Sequence, residues 1–215
     1  PIVILPKLIK VRVMTQLYAL GLGIGTQNQK QQWLEVFFAQ PLLQPPKAIV
    51  EALGNLLGYN GGNVAIEIAA AKAAQLALVL EGSELSGLAA SLQNASKPLV
   101  AVFLAENSGP KSVPEAYLKL HLLSHRLVKP HQTALDGIFG VLPNVAWTNL
   151  GAIDIEELPQ RQLAARCKGE VLSVDSVDKF PKMTNYVVPK GVRIAHTGRV
   201  RLGAYLGEGT TIMHE

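Results

Sequence analysis

The sequence predicts an α/β domain followed by the start of a parallel β-helix, and three observations carry that expectation. Between Val188 and Glu215, aliphatic residues recur at every sixth position: Val188, Ile194, Val200, Leu206 and Ile212. Four residues after each of the first four comes a small or β-branched residue, namely Val192, Gly198, Ala204 and Thr210, and glycine precedes three of these as Gly191, Gly203 and Gly209. Upstream, segments with apolar helical faces alternate with continuous apolar runs such as LVAVFLA. A period of six matches neither the 3.6-residue repeat of an α-helix nor the two-residue repeat of a strand. It suits short β segments that turn a corner every six residues, with an aliphatic side chain inward on each flat and glycine where the corner needs a positive φ. Solenoids bury their faces only by stacking and need a cap. At roughly three hexads per coil, this stretch holds under two coils, so the pattern predicts that hexads continue beyond Glu215.

The elements follow in order. Pro1 to Val13 alternates loosely, lacks a starting Met and precedes Met14. No small-residue cleavage site follows its apolar stretch, as a secretory signal requires, and it reads as extraneous sequence upstream of a start at Met14. GLGIGTQNQ, from Gly21, lacks the Lys-Ser/Thr of a phosphate-binding loop and a clear strand–helix unit, so it reads as a glycine-rich turn into a helix. Thr26 and Gln29 form a capping box for that helix, which runs through Trp33, Val36 and Phe37 and stops before Pro41. A second helix follows Pro45-Pro46, with Ile49, Leu53, Leu56 and Leu57 on one face and Gly58 as its stop. A third is expected from Val64 to Leu80, with Ile66, Ala70, Ala73, Ala77 and Leu80 inward, and a short fourth carries Leu85, Leu88 and Leu92. LVAVFLA after Pro98 reads as a buried strand. Ser112 and Glu115 cap a helix reaching Val128, whose buried face is Ala116, Leu120, Leu123 and Leu127, with Arg126 and Lys129 favourably placed at its C-terminal end. Asn144 to Asn149 is a strand, Asp154 and Glu157 open a helix reaching Lys168 and closed by Gly169, and Glu170 to Val177 is a strand. FPKMTNYVVP is the extended approach to the hexads. The domain plan is 1–13 extraneous, 14–177 α/β, and 178–215 linker and first coils.

Composition narrows the function classes. The chain of 215 residues is 48% hydrophobic and 17% charged, which suits a packed core. A single cysteine, Cys167, excludes an internal disulfide framework and suits a reducing cytoplasm. No apolar run approaches the roughly 20 residues that span a bilayer. The formal net charge is +4, and much of the local excess lies in Lys179, Lys182, Lys190, Arg193, Arg199 and Arg201. No nucleic-acid recognition pattern accompanies it, so small polyanions such as phosphates or dicarboxylates are the expected partners.

Several residue pairs invite a chemical reading. His121 and His125 stand four apart on a helix, a spacing that suits zinc, but the residues between them supply no glutamate base and no third ligand is evident; they read as partly exposed helix histidines. Cys167 lacks a histidine partner and reads as an inert packed thiol. Asp175 and Asp178 form a possible acid–base pair, yet alternation places at least one in solvent. His196, His214 and Glu215 lie off the inward aliphatic rows, at corner or outer positions of the solenoid.

The segments VDKFPKMTNYVVP and GVRIAHTGRVRLGAYLGEGTTIMHE closely resemble the tetrahydrodipicolinate N-succinyltransferase family, in the longer type of pseudomonads and actinobacteria. GIGTQN, EAYLKLHLLSHRLVKPH and LPNVAWTN resemble it too, so the likeness runs from Met14 to Glu215, with VDKFPKM and GTTIMHE its specific motifs. Ala195-His196-Thr197 departs from the family pattern, in which an acidic residue follows the alanine, so no role is assigned there. The resemblance implies a left-handed β-helix, a homotrimer with active sites between adjacent β-helices, succinyl-CoA as co-substrate, and a cytoplasmic enzyme of lysine and diaminopimelate biosynthesis. It also implies that the coenzyme A contacts fall mostly beyond residue 215, so that the present stretch by itself is inactive.

In the implied reaction, the amino group of ring-opened tetrahydrodipicolinate attacks the thioester, loses a proton and needs donors for the oxyanion. Glu215, the glutamate of the MHE motif, is the expected catalytic residue, as general base or as a nucleophile forming an acyl anhydride. Arg193, Arg199 and Arg201 are the expected partners of substrate carboxylates and phosphates. The chemistry requires no metal, nucleic acid or membrane. Two other classes stay open: another hexapeptide acyltransferase, such as an N-acetyltransferase, and a non-catalytic trimeric scaffold.

Overall fold

The computed structural model describes residues 16–215; the expectation for residues 1–13 lies outside them. β1 (Ala19–Gln27) and β2 (Trp33–Phe37) form an antiparallel hairpin, with β3 (Leu42–Leu43) pairing the start of β1. α1 (Lys47–Leu57) leads to β4 (Val64–Ile68), the short helices α2 (Ala70–Ala73), α3 (Leu76–Val79) and α4 (Ser86–Leu92), and then β5 (Leu99–Leu104). The main sheet has the order β2-β1-β5-β4, antiparallel throughout.

β5 explains its own sequence. Leu99, Ala101 and Phe103 join the cluster under α1, α3 and α4, whereas Val100, Val102 and Leu104 join the cluster on the opposite face. A strand covered on both faces needs apolar residues at every position, not alternate ones. α1 forms as expected, with Gly58 at φ +79 closing it and its amide bonded to the Gly54 carbonyl.

Two expected helices are strands. The Thr26–Gln29 capping box does not form: Asn28 Oδ1 instead accepts from the amides of Lys30 and Gln32, and Gln31 takes φ +60 to complete a tight turn. Trp33 to Phe37 then alternates half-buried and buried residues, the pattern of a strand with one packed face. The glycines before it are strand positions, where Gly21 and Gly23 leave room for other side chains. A Cβ on Gly21 would lie 2.6 Å from Phe38 and 2.8 Å from Leu118, so these glycines mark a close approach. The helix expected over Val64–Leu80 is β4 followed by two short helical pieces. β4 occupies the sheet edge, pairing with β5 from Val64↔Phe103 to Ile68↔Leu99.

α5 (Val113–Ser124) lies on the other face of the sheet. Ser112 caps it, accepting from the Glu115 amide at 3.5 Å, while Glu115 Oε2 accepts from the Lys111 amide at 3.0 Å. The helix ends about four residues before the expected Val128, because Arg126 takes the left-handed φ of +62. It is also buried on all sides, from Pro114 to Ser124, and Leu127 is exposed. Lys119 is carried into the core with it, where Nζ donates to Asn107 Oδ1 at 2.9 Å; burial lowers its pKa to about 8.

After the short α6 (Ile138–Val141), β6 (Val145–Thr148) is the centre of a second sheet of order β7-β6-β8, with β7 (Gly151–Asp154) and β8 (Val174–Asp178). α7 (Leu158–Cys167) connects them and buries none of its residues; Gly169 ends it at φ +76. Asp154 belongs to β7, and its Oδ1 accepts from the Glu156 amide ahead of α7. The approach segment contains a 3₁₀ turn at Met183–Asn185 rather than being extended throughout. Leu118, Leu120, Met183, Val200, Leu202 and Leu206 belong to a single buried cluster, which therefore runs from α5 into the hexad region. Among the described residues no helix is long and apolar enough to cross a membrane.

Candidate active site

Within the hexads, β9 (Arg193–Ile194) and β10 (Thr211–Ile212) pair in parallel, Arg193 with Thr211 and Ile194 with Ile212. The partners stand eighteen residues apart, the length of three hexads. Gly209 N donates to Gly191 O at 2.7 Å, Arg193 N to Thr210 O and Ala195 N to Ile212 O, each at 2.9 Å. The three expected corner glycines take positive φ: Gly191 +72, Gly203 +98 and Gly209 +83. Val200 and Leu206 are buried and Ile194 and Ile212 half-buried, so these four point inward. Val188 does not; it is 68% exposed, and its neighbour Val187 is buried instead. The inward row therefore begins at Ile194, because the 3₁₀ turn just upstream shifts the register of the approach segment.

The three candidate arginines separate into two kinds. Arg193 and Arg199 are exposed and form no ion pair among the described residues. Arg201 Nε is 2.6 Å from Asp178 Oδ2. Burial pushes the Asp178 carboxyl up, but the hydrogen bond and charge of Arg201 and the amide of Lys179 outweigh it and hold the group below the usual carboxylate range. Backbone contacts reinforce the arrangement: Met183 N donates to Val200 O at 2.9 Å and Leu202 N to Pro181 O at 3.0 Å. The VDKFPKM segment is thus laced to the second flat of the coil. Glu215 is exposed at the end of the chain, three residues beyond the Ile194–Ile212 pair, with Met213 and His214 also exposed. Arg193 pairs with Thr211, four residues before Glu215, so the carboxylate follows the strand that pairs with the Arg193 strand.

The coil is held by residues that sequence reasoning assigned elsewhere. Arg126 Nε donates to Leu206 O at 2.6 Å and Nη2 to Lys190 O at 2.9 Å. Ser124 Oγ donates to Ala204 O at 3.1 Å and accepts from Gly203 N at 2.9 Å. A Cβ on Gly203 would come 2.5 Å from Leu120 Cδ2, so the corner glycine also allows the coil to sit against α5. Arg126 and Ser124 lie in the recognisable EAYLKLHLLSHR segment, but nothing in a helical pattern says that its end reaches the hexads eighty residues on.

The other candidates are placed differently from expectation. His121 is fully buried, not partly exposed: Nδ1 lies 2.8 Å from Tyr117 O and Nε2 accepts from Phe38 N at 3.2 Å. Its proton therefore sits on Nδ1, and burial lowers its pKa to about 3. His125 stacks 6.0 Å from it and is likewise lowered by burial. Cys167 is exposed rather than packed. Asp175 and Asp178 are engaged separately, by Lys182 at 3.4 Å and by Arg201, so they do not act as a carboxylate pair. His196 is exposed in the coil. Among the described residues no group of three His, Cys, Asp or Glu side chains could hold a metal ion.

Two family models match the chain: tetrahydrodipicolinate N-succinyltransferase N-terminal over residues 63–140, and tetrahydrodipicolinate N-succinyltransferase middle over residues 142–182. Among curated proteins, the 2,3,4,5-tetrahydropyridine-2,6-dicarboxylate N-succinyltransferase of Pseudomonas putida is 62% identical over 201 residues, covering 93% of this chain and 58% of the relative. The Vibrio cholerae protein of the same description is 56% identical, covering 92% of this chain and 59% of the relative. A crystal structure from Campylobacter jejuni, described as a 2,3,4,5-tetrahydropyridine-2-carboxylate N-succinyltransferase, superposes with a TM-score of 0.81 at 26% identity, over 93% of this chain and 57% of that one. The chain thus spans somewhat under three fifths of the length of the relatives it matches.

Proposed function

Since the chain belongs to the tetrahydrodipicolinate N-succinyltransferase family, we propose that the protein transfers a succinyl group from succinyl-CoA to the amino group of ring-opened tetrahydrodipicolinate. The 62% identity over 201 residues is the observation that carries this reading. Residues 14–177 serve as the N-terminal α/β domain and 178–215 as the linker and first coils of a left-handed β-helix. The eighteen-residue parallel pairing and the positive-φ corner glycines support that assignment. The active assembly is a cytoplasmic homotrimer with sites between neighbouring β-helices.

In the chemical step the acceptor nitrogen attacks the thioester carbonyl carbon. The carbon–sulfur bond breaks, coenzyme A leaves as the thiolate, and the amine proton passes to a base. Glu215 is that base, or it attacks first and passes the succinyl group on as an anhydride; both routes run through the same carboxylate. Arg193 and Arg199, exposed and without ion-pair partners among the described residues, bind the anionic groups of acceptor or coenzyme. Arg201 contributes through its pairing with Asp178, which keeps the approach segment against the coil. No metal is needed by either route.

The test is succinyl-CoA consumption in the presence of tetrahydrodipicolinate, with acetyl-CoA as the competing donor, using the full-length protein. Preference for succinyl-CoA supports the reading, whereas equal kcat/KM for acetyl-CoA replaces it with a general acyltransferase. Absence of turnover with either donor leaves a scaffold.

A further inference from the structure

Away from the coil, a cavity of about 220 Å³ opens where the main sheet, the second sheet and the approach segment meet. Glu35 and Tyr186 line it together with Phe37, Trp147, Asp175 and Lys182. We propose that this cleft binds a small zwitterionic amino acid, with its ammonium group against Glu35 and its carboxylate against Lys182.

Glu35 supplies the first half of the argument. It stands on β2 between the buried Leu34 and Val36, so its side chain turns to the same side as Trp33 and Phe37. Tyr186 Oη donates to Glu35 Oε2 at 3.1 Å, and Glu35 forms no ion pair among the described residues. Burial pushes its carboxyl up despite hydrogen bonds from Thr26 and Tyr186 and the more distant charge of Lys97. Its hydrogen bonds come from uncharged groups and no ion pair reaches it among the described residues, so a ligand ammonium would add the direct charge partner that this buried carboxyl is without.

Lys182 supplies the second half. Its pairing with Asp175 at 3.4 Å is loose, and the Asp175 side chain is 51% exposed. With the Lys182 side chain 27% exposed the pair is only partly screened, but partly exposed pairs are weak beside buried ones, so a ligand carboxylate competes with Asp175 for Lys182. The rings of Phe37 and Trp147 provide apolar contact for a short aliphatic body. The volume lies below the roughly 300–1,000 Å³ of drug-sized sites, which restricts the occupant to small amino acids. The proposed acyl transfer uses none of these residues as catalytic groups, so the inference stands apart from that reading.

Trp147 lines the cleft, so the part of the fluorescence change that Trp147→Phe abolishes reports occupancy. Titration of the full-length protein with L-alanine and L-valine should give a saturable change. Ethylamine and propionate, each carrying half of the recognition, should bind at least about tenfold more weakly, a loss of one charged contact. Glu35→Gln and Lys182→Met should each weaken L-alanine by a similar factor, and Lys182→Met, nearer solvent, keeps the test open should Glu35→Gln fail to fold. No saturable change with either amino acid overturns the proposal, as does equal affinity for ethylamine and L-alanine or unchanged affinity in both variants. Acyl transfer is assayed on the same samples: turnover by a protein that binds no amino acid sinks this inference alone.

Discussion

The guanidinium of Arg126 binds the coil at two points, with Nε 2.6 Å from the Leu206 carbonyl and Nη2 2.9 Å from the Lys190 carbonyl. Arg126 is the residue whose left-handed φ ends α5, so one position both stops the helix and anchors the hexad segment. Hydrogen bonds from a charged donor contribute about 1.5–3 kcal/mol when one partner is buried. Arg126→Ala should therefore lower unfolding stability by about 2 kcal/mol in urea titration. Arg126→Gly should lose less, because glycine relieves the backbone strain while removing the same side chain. A loss below about 0.5 kcal/mol in both would mean that apolar packing alone holds the coil.

Corner glycines should differ in their tolerance of alanine. Gly209 has φ +83 and open space where a Cβ would go, so Gly209→Ala should cost only the left-handed backbone penalty, about 1–2 kcal/mol. Gly203 adds a 2.5 Å clash with Leu120, and overpacking of that kind costs about 1–3 kcal/mol more. Urea midpoints of the two variants measured side by side check the order. Equal losses would show that α5 yields freely at Leu120.

His121 makes stability depend on pH. Its folded pKa of about 3 lies below the ordinary 6.5, so between those values the unfolded chain holds a proton that the folded one does not. The contribution is fully present above about pH 6.5 and declines as pH falls, by up to about 1.4 kcal/mol per pH unit, until the folded group itself titrates. His121→Gln should flatten that part of the profile between pH 6.5 and 4.5. An unchanged slope would assign the acid sensitivity to other groups.

Arg201 should behave differently from Arg193 and Arg199. Replacing either exposed arginine with alanine should raise KM for the acceptor or for succinyl-CoA about tenfold, the loss of one charged contact, with kcat retained. Arg201→Ala should instead lower stability, and by no more than about 1 kcal/mol, since the pair with Asp178 is partly exposed. A KM effect confined to Arg201→Ala would reverse this assignment.

Glu215→Gln keeps the shape of the side chain and removes the proposed base. In the full-length protein it should lower kcat by about 10²–10⁴-fold, with folding verified by circular dichroism. Activity within about threefold of the parent would make the carboxylate a bystander.

Local chemistry settled several features of this chain before any tertiary contact was considered. The corner glycines were readable because only glycine takes φ near +70 to +100 without cost. β5 was readable from its unbroken apolar run, and the start of α5 from Ser112 and Glu115, whose mutual bonds are local. Other features depended on what lay across the fold. Trp33 to Phe37 carries both helical and alternating apolar patterns, and pairing with β1 together with the Asn28 turn selected the strand. Val64–Ile68 became a strand because β5 offered it a free edge, which no helix propensity competes with once the ladder forms. α5 was expected to bury one face and buries all of them, since the sheet covers one side and the coil another. That enclosure removed His121 from water, and it brought Arg126 to carbonyls sixty-four and eighty positions away.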